Sequence, residues 1–311
     1  MTLQQIEYIL AVAEIRNFSR AAEKCYITQS TLSTMINKFE NETGIKIFDR
    51  KTKPVSITKE GENIILQLKN IAKEIDALNE TVQNLKGELS GKLKLGIIPT
   101  VAPFILPEFL NDFAKKFPKI TISVSEMTTQ TIIELILRRE LDIGILAIPL
   151  NIRELKEFPL YNEPFVLYDC SKKRTKKYAN IDDIDINKFW LLEEGHCLST
   201  QVKNICDINN STHRENVNFD FKAGSIDSLI RFVKVNKGLT ILPYLASLEF
   251  SQQEYKKVTQ FRPPVPVRTI GLAVHNHFVK EKILNLLKSE IKDKILPLLK
   301  PVTDEIVVPP V

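Results

Sequence analysis

The chain of 311 residues has few cysteines, no long apolar run and little excess charge. Four cysteines in a chain of this length are too few for the disulfide framework of a secreted protein. No apolar run approaches the roughly 20 residues that a membrane span needs, and two glutamates interrupt the first apolar stretch, which argues against a signal peptide. These absences predict a cytoplasmic protein with reduced thiols and no membrane partner.

Charge and composition leave the class of protein open. The chain is 43% hydrophobic and 26% charged, as is typical of globular proteins. A net charge of +5 is too small to identify a nucleic-acid partner, because many enzymes are equally basic. The length suits two or three domains, each with a core of its own. Function must therefore be inferred from motifs.

Three short helices are predicted near the N-terminus. Thr2 and Gln5 form a capping-box pattern, a short helix follows at residues 18–25, and Thr28 can cap a third helix that ends at Gly44. The third helix has an apolar stripe at helical spacing and an opposite polar face. The residues of that face that we expect to contact DNA are Gln29, Ser30, Thr31, Ser33 and Lys38.

A basic hairpin tip follows the third helix. Two short extended pieces, at residues 47–48 and 55–57, enclose Arg50, Lys51 and Lys53, which suit phosphate contacts or the minor groove. The second helix of a helix-turn-helix enters the major groove, where short polar side chains reach base edges. Residues 1–58 are therefore predicted to form an all-α winged helix-turn-helix domain that binds double-stranded DNA.

The next helix carries a heptad pattern. Seven apolar residues alternate spacings of four and three, as in a coiled-coil seam. A helix of 28 residues is about 42 Å long, too long for the interior of a small domain. We predict a dimerisation helix over residues 59–89; the alternative is a long helix packed on its own chain. The seam residues are Ile64, Leu68, Ile71, Ile75, Leu78, Val82 and Leu85.

Strands and helices alternate from residue 92 to about residue 300. Apolar runs separated by helices of 10–15 residues are typical of βαβ units with parallel sheets covered on both faces. Residues 302–311 show no pattern and are predicted to be a loose tail. The predicted strands lie at residues 93–99, 120–126, 141–148, 165–168, 189–192, 238–242 and 269–274.

Cys197 has features of a reactive thiol. It follows a predicted strand and begins a predicted helix, whose dipole favours a thiolate, and His196 beside it adds a donor or cation. A thiolate attacks peroxide, becomes a sulfenic acid and condenses with a second thiol, for which Cys206 is the obvious candidate. In a helix the two Cα atoms would be roughly 13 Å apart, whereas a disulfide needs about 7 Å. Disulfide formation must therefore unwind the segment.

Over almost its whole length the sequence resembles the LysR-type transcriptional regulators. The resemblance implies a homodimer, often assembled into a tetramer, that contacts RNA polymerase. It also implies two α/β subdomains like those of periplasmic binding proteins, residues 92–161 with 269–300 and residues 162–268. The chain would cross between them near Tyr161–Pro164 and Pro266–Arg268. The residues that carry the resemblance are Phe18–Ala22, Thr28–Ser33, Glu40, Gly44, Phe48–Arg50 and Thr58–Gly61.

The stretch from Leu191 to Cys206 resembles the redox segment of the peroxide-sensing members of that family. This resemblance implies that hydrogen peroxide is the signal, that Cys197 reacts with it and that Cys206 completes a disulfide controlling antioxidant genes. Thr200 stands where an acidic residue is expected in that branch. The residues implied to surround the peroxide are Thr100, Thr129, Gln201 and Arg268.

Three alternatives stay open. The chain could be a LysR-type regulator that responds to a small anionic metabolite held between the subdomains, with inert buried thiols. It could be a thiol peroxidase, although about a quarter of the chain is assigned to DNA binding and dimerisation. A zinc site would need further ligands, and His213 is the only nearby candidate besides His196. We therefore expect no metal, no cofactor and no enzymatic activity, and we interpret Cys25 as a packing residue and Cys170 as incidental, not as a resolving thiol.

Overall fold

The computed structural model folds into two units, Met1–Lys86 and Gly87–Val311. It describes residues 1–85, 89–171, 178–181, 184–193, 197–206, 221 and 223–310, without the side chains of residues 80, 83–85 and 186. His196 and His213, both named above as candidates, lie outside the described residues. No helix of the described part is both long and apolar enough to cross a membrane.

The first unit contains the predicted helices and wing. Thr2 and Gln5 form the capping box, the Thr28 side chain accepts the Thr31 N–H, and Gly44 ends the third helix with φ +72°. Each of these signals is local, so the sequence specifies these ends directly. The elements are α1 Leu3–Ile15, α2 Phe18–Lys24, α3 Gln29–Thr43, β1 Phe48–Asp49, β2 Ser56–Ile57 and α4 Lys59–Leu85.

A buried carboxylate joins α3 to the wing. Glu40 is 2% exposed, and its Oε1 accepts the backbone N–H groups of Ile47 at 2.7 Å and Phe48 at 3.2 Å. Its Oε2 lies 3.3 Å from Lys46 Nζ and 3.8 Å from Arg50 Nη2. The carboxylate thus satisfies two buried donors and fixes where the wing begins relative to α3.

The predicted seam of α4 divides into two parts. Leu68 is buried in the core of the first unit, and Ile64 and Ile71 pack against that core. Farther along, the side chains of Leu78 and Val82 are 63% and 42% exposed. The first half of the seam therefore packs on its own chain, and the later part leaves an apolar surface that a second copy could cover.

The second unit alternates strands and helices. Its strands are β3 Gly91–Ile97, β4 Ile120–Glu126, β5 Ile143–Ile148, β6 Leu155–Asp169, β7 Tyr178–Ala179, β8 Leu239–Pro243, β9 Val258–Phe261, β10 Val265–His275 and β11 Glu305–Val307. Its helices are α5 Ala102–Lys116, α6 Thr129–Leu137, α7 Cys197–Ile205, α8 Ile226–Val235, α9 Gln252–Tyr255 and α10 Glu281–Ile295.

The sheets are mixed, so the expectation of parallel sheets was only partly right. β3 pairs in parallel with β4 and β5, whereas β10 runs antiparallel to β5 and β6, and β6 runs antiparallel to β8 and β9. Apolar runs indicate burial of both faces but not strand direction. The predicted strand at residues 189–192 was wrong: only isolated bridges form there, at Phe189 and Leu192.

Two long strands connect two cores. β6 pairs with β10 up to Pro164 and then with β8 from Phe165 onward, so it changes partner within one continuous strand. One core lies around β3, β5, α5 and α10, and the other around β8, α7 and α8. Residues at the boundary between the two cores are therefore positioned by β6 and β10, which contribute to both cores.

The predicted loose tail is instead partly ordered. β11 pairs in parallel with the beginning of β10, and Val308 beyond it is 8% exposed. The neighbouring residues Ile306 and Val307 are both exposed, 53% and 44%, so this strand does not alternate between buried and exposed side chains. The alternating pattern by which a sequence predicts a strand is therefore missing here. The pairing of β11 depends on an available strand edge far away in the sequence, which local periodicity does not reveal.

Replacing Glu40 by alanine should loosen the base of the wing, because two buried N–H groups would lose their acceptor. We expect faster amide exchange at Ile47 and Phe48, equivalent to about 2–3 kcal/mol of local opening free energy. Hydrogen-exchange mass spectrometry of the full chain measures this. Glu42→Ala is the control, since its exposed pair with the N-terminal amine should contribute less than about 1 kcal/mol. Equal effects of the two substitutions would contradict the assignment.

Candidate functional site

A buried arginine lies where the strands of the two cores meet. Arg268 of β10 is fully buried; its Nε lies 2.9 Å and its Nη2 2.8 Å from Glu163 Oε2 on β6. Its Nη1 donates to Thr100 Oγ1 at 3.1 Å and its Nη2 to the Thr100 carbonyl at 3.0 Å. Glu163 Oε1 accepts the Leu245 N–H at 2.8 Å. One guanidinium thus fixes Thr100, three residues after the end of β3, against both long strands.

Cys197 is the first residue of α7 and is 7% exposed. It belongs to the first core, around β3 and β5, whereas Leu198 and Val202 of the same helix belong to the second. The described residues therefore place the thiol at the boundary of the two cores, near Arg268 and Thr129, whose interactions with it influence its pKa.

Burial raises the pKa of the Cys197 thiol above its usual value. The Thr129 hydroxyl, the Arg268 charge and the N–H groups of Leu198 and Cys197 act in the opposite direction but do not outweigh burial. The helix terminus therefore does contribute the expected stabilisation of a thiolate, although burial outweighs it in the pKa of this thiol. Sequence reveals the helix start, whereas the cost of desolvation depends on the folded surroundings.

The buried side chains of Thr129, Gln201 and Tyr161 each have a polar atom without a hydrogen-bond partner among the described residues. Thr129 Oγ1 forms no hydrogen bond of ordinary geometry, although it is close enough to affect the Cys197 thiol. Gln201 Oε1 is likewise unpaired, while its Nε2 donates to the Val308 carbonyl at 2.6 Å. Tyr161 also has an unpaired hydroxyl, and burial followed by the Glu163 charge raises its pKa. Such groups are costly unless a small polar molecule completes them.

Cys206 lies at the other end of α7 from Cys197. It directly follows α7, is partly exposed and packs against the second core. Neither thiol is part of a disulfide. Nine residues along an α-helix correspond to roughly 13 Å, so a Cys197–Cys206 bond requires a different fold of the segment. Thr200 is exposed, whereas Gln201 next to it is buried.

The remaining cysteines have separate surroundings. Cys25 packs against the core of the first unit, and burial raises its pKa. Cys170 accepts a hydrogen bond from Lys257 Nζ at 3.7 Å. Within the described ranges, no group of three or more His, Cys, Asp or Glu side chains is arranged to hold a metal ion.

The predicted DNA-contacting residues of α3 are mostly exposed. Gln29, Ser30 and Thr31 are exposed at the start of α3, Ser33 is half-buried and Lys38 is exposed. Gln29 Oε1 accepts a hydrogen bond from Ser19 Oγ at 3.2 Å, which links α2 to the start of α3. The short polar groups needed for base contacts are therefore accessible.

The residues of the basic hairpin tip differ in what they contact: Arg50 packs on the helices, whereas Lys51 and Lys53 face solvent. Arg50 donates from Nη1 to Ser33 Oγ at 2.8 Å and lies 4.6 Å from the centre of the Phe18 ring. It therefore supports α3 as well as carrying a charge. Lys51 and Lys53 are exposed and suit phosphate contacts.

Glu163 is the functional residue that the sequence analysis missed. It contacts Arg268 across 105 sequence positions and is fully buried. No local pattern distinguishes it from a surface glutamate. Its position two residues before the point where β6 changes partner becomes apparent only with the strand register.

Two families match the chain. Residues 3–62 match the bacterial regulatory helix-turn-helix protein, lysR family, and residues 86–293 match the LysR substrate binding domain. Over 277 residues the chain is 31% identical to the DNA-binding transcriptional dual regulator OxyR of Escherichia coli K12, covering 88% of each. Over 247 residues it is 34% identical to the HTH-type transcriptional regulator EstR of Acinetobacter baylyi, covering 79% of this chain and 80% of EstR.

Solved structures agree with these matches. A full-length OxyR variant from Pseudomonas aeruginosa superimposes with a TM-score of 0.71 at 28% identity, covering 94% of this chain and 98% of that one. OxyR from Porphyromonas gingivalis gives a TM-score of 0.63 at 26% identity, covering 70% of this chain and all of that one. With matches in both of its units, the chain belongs to the LysR family of helix-turn-helix transcription regulators.

Proposed function

We propose that this LysR-family regulator senses hydrogen peroxide through Cys197 and Cys206 and thereby controls antioxidant genes. The observation that carries the proposal is the surroundings of Cys197: a buried thiol beside Arg268, with unpaired polar atoms on Thr129 and Gln201. The relatives called OxyR and "hydrogen peroxide-inducible genes activator" support it. Thr100 contributes by holding Arg268.

The chemistry proceeds in two balanced steps. The Cys197 thiolate attacks one peroxide oxygen, forming an S–O bond and breaking the O–O bond; sulfur is oxidised, and the departing hydroxide takes up the thiol proton to give water. The Cys206 thiolate then attacks the sulfenic sulfur, forming the disulfide and releasing the second water. Two thiols and one peroxide thus yield one disulfide and two waters.

The second step converts oxidation into a conformational change. The two thiols pack against different cores and are separated by the length of α7. The disulfide and the intact helix exclude each other, so reduced and oxidised forms must differ in fold around residues 197–206. His196 adjoins this segment, and we propose that it assists Cys197 as a donor.

A regulator of a small anionic metabolite is the second candidate. The relative EstR, whose name does not mention peroxide, is the observation in its favour. The charge balance is unfavourable, however, because Glu163 already neutralises the buried Arg268. Among the described residues of this region, an anion would find hydrogen-bonding groups but no unmatched positive charge.

We further propose how the regulator assembles on DNA. Residues 1–58 bind the operator and residues 59–89 pair two copies, using the exposed Leu78 and Val82. A dimer of dimers and contact with RNA polymerase would complete an activator. The regulatory half comprises residues 92–161 with 269–300 as one subdomain and residues 162–268 as the other.

Micromolar hydrogen peroxide should convert the reduced full-length chain to a Cys197–Cys206 disulfide, because Cys197 reacts with peroxide in the proposed mechanism and Cys206 then attacks the oxidised sulfur. Peptide mapping by mass spectrometry checks this. Cys170→Ser and Cys25→Ser should form the same bond. Cys197→Ser should lose the redox response while the reduced form keeps its DNA affinity. If the disulfide does not form, the sensor proposal fails, and loss of DNA binding in Cys197→Ser would mean that Cys197 is structural.

The rate of Cys197 oxidation should rise steeply with pH. Because burial raises the thiol pKa, the thiolate is a minor species at neutral pH and grows about tenfold per pH unit. Stopped-flow measurement of Cys197 oxidation in Cys206→Ser should show a rate that rises with pH and reaches no plateau below pH 9, the ordinary pKa of a cysteine thiol. Thr129→Val removes a hydroxyl that lowers this pKa, so its profile should shift to higher pH. A plateau near pH 7 would refute the assignment.

Two substitutions should separate base contacts from phosphate contacts. Gln29→Ala should cost about 1–3 kcal/mol on the preferred duplex and relax specificity at one position. Lys53→Ala should weaken all duplexes alike and reduce the salt slope of log K by about 1. Fluorescence anisotropy at several salt concentrations, on a duplex selected by the protein from a random library, measures both. Gln130→Ala, an exposed glutamine of α6, should change neither; identical behaviour of all three would contradict the proposed surface.

A further inference from the structure

The strand β11 reaches the site from the far end of the sequence. It pairs in parallel with the beginning of β10, with Val267 opposite Val307. Val308 then donates its N–H to the Val267 carbonyl at 2.8 Å. The pairing therefore extends to the residue directly before Arg268.

Val308 also contacts the redox helix α7. Its carbonyl accepts the Gln201 Nε2–H at 2.6 Å, across 107 sequence positions. Its side chain is 8% exposed and belongs to the same core as Leu198 and Val202 of α7. Both a hydrogen bond and apolar packing therefore hold α7 against this segment.

The hydrogen bond determines the orientation of the Gln201 amide. A carbonyl only accepts, so the NH₂ group must face Val308 and Oε1 must point elsewhere. Oε1 is buried and has no hydrogen-bond partner in the described part of the chain. Gln201 follows Cys197 by four residues, so the two side chains project from the same face of α7, one turn apart. An unpaired acceptor is thereby presented on the face that carries the thiol.

We propose that the segment 305–308 is a working part of the redox site. The Val308 carbonyl orients Gln201 so that Oε1 accepts a hydrogen bond from the O–H of a peroxide at Cys197. Val308 is thus a positioning residue that acts through Gln201. The same contact stabilises the reduced form, because unwinding α7 must break it. This inference rests on the proposed peroxide reaction.

The test follows sulfenic acid formation at Cys197 in the full chain carrying Cys206→Ser, where the second step cannot occur. Ending the chain at Thr303 removes the segment and should slow the reaction with hydrogen peroxide about tenfold, as expected for one lost hydrogen bond. Gln201→Met should slow it by a similar factor. The two changes combined should slow it no further, because they remove the same interaction. Trapping with a dimedone-type probe and mass spectrometry give the rates.

Two controls distinguish a lost orientation of the Gln201 amide from a general loosening of the fold around Cys197. Alkylation of Cys197 by iodoacetamide, which needs no oriented Gln201, should change less than about twofold in the same variants. Val235→Ala alters an apolar side chain at the end of α8 that is 81% exposed and should leave the peroxide rate unchanged. If the shortened chain loses its fold by circular dichroism, Val308→Pro replaces it, since proline removes the N–H donated to Val267.

Each outcome decides the matter. Additive slowing, equal slowing of alkylation, or an unchanged peroxide rate without the segment would overturn its role while leaving peroxide sensing intact. If Cys197 of the parent chain does not react with peroxide at all, the proposed function and this inference fail together.

Discussion

The buried ion pair between Arg268 and Glu163 is the interaction on which the second unit, Gly87–Val311, depends. It joins the two strands that connect the cores, and its hydrogen bonds to Thr100 fix the turn that follows β3. Removing one partner of such a pair costs about 3–5 kcal/mol, so the position of the guanidinium is rigidly determined. Glu163 neutralises the positive charge of Arg268, which limits how far that charge can lower the pKa of Cys197. Burial therefore prevails, and the resting thiol keeps its proton.

This balance suits a sensor more than an enzyme of rapid turnover. A thiol that is mostly protonated reacts sparingly, while pre-placed polar atoms favour a small guest with O–H groups. In the proposed mechanism selectivity arises from hydrogen bonds around the sulfur, and the consequence of reaction arises from the distance to Cys206. The two functions use different parts of one short helix.

The sequence predicted those features that depend on neighbouring residues. The caps at Thr2 and Thr28, the end at Gly44, the heptad helix and the start of α7 at Cys197 are all local signals. Features that depend on distant residues were missed or wrong. Examples are Glu163 beside Arg268, the antiparallel course of β6 and the pairing of β11. The direction of the Cys197 pKa belongs to this second group, because desolvation depends on the whole fold.

The incompatibility of α7 with a Cys197–Cys206 bond also has a thermodynamic consequence. If operator DNA prefers one of the two folds, the disulfide must in turn be easier or harder to reduce on DNA than in free solution, by the same free energy. For a two-electron couple, about tenfold preference shifts the reduction potential by about 30 mV. Each binding site would then set its own oxidant threshold, so one regulator could respond in graded order at different promoters.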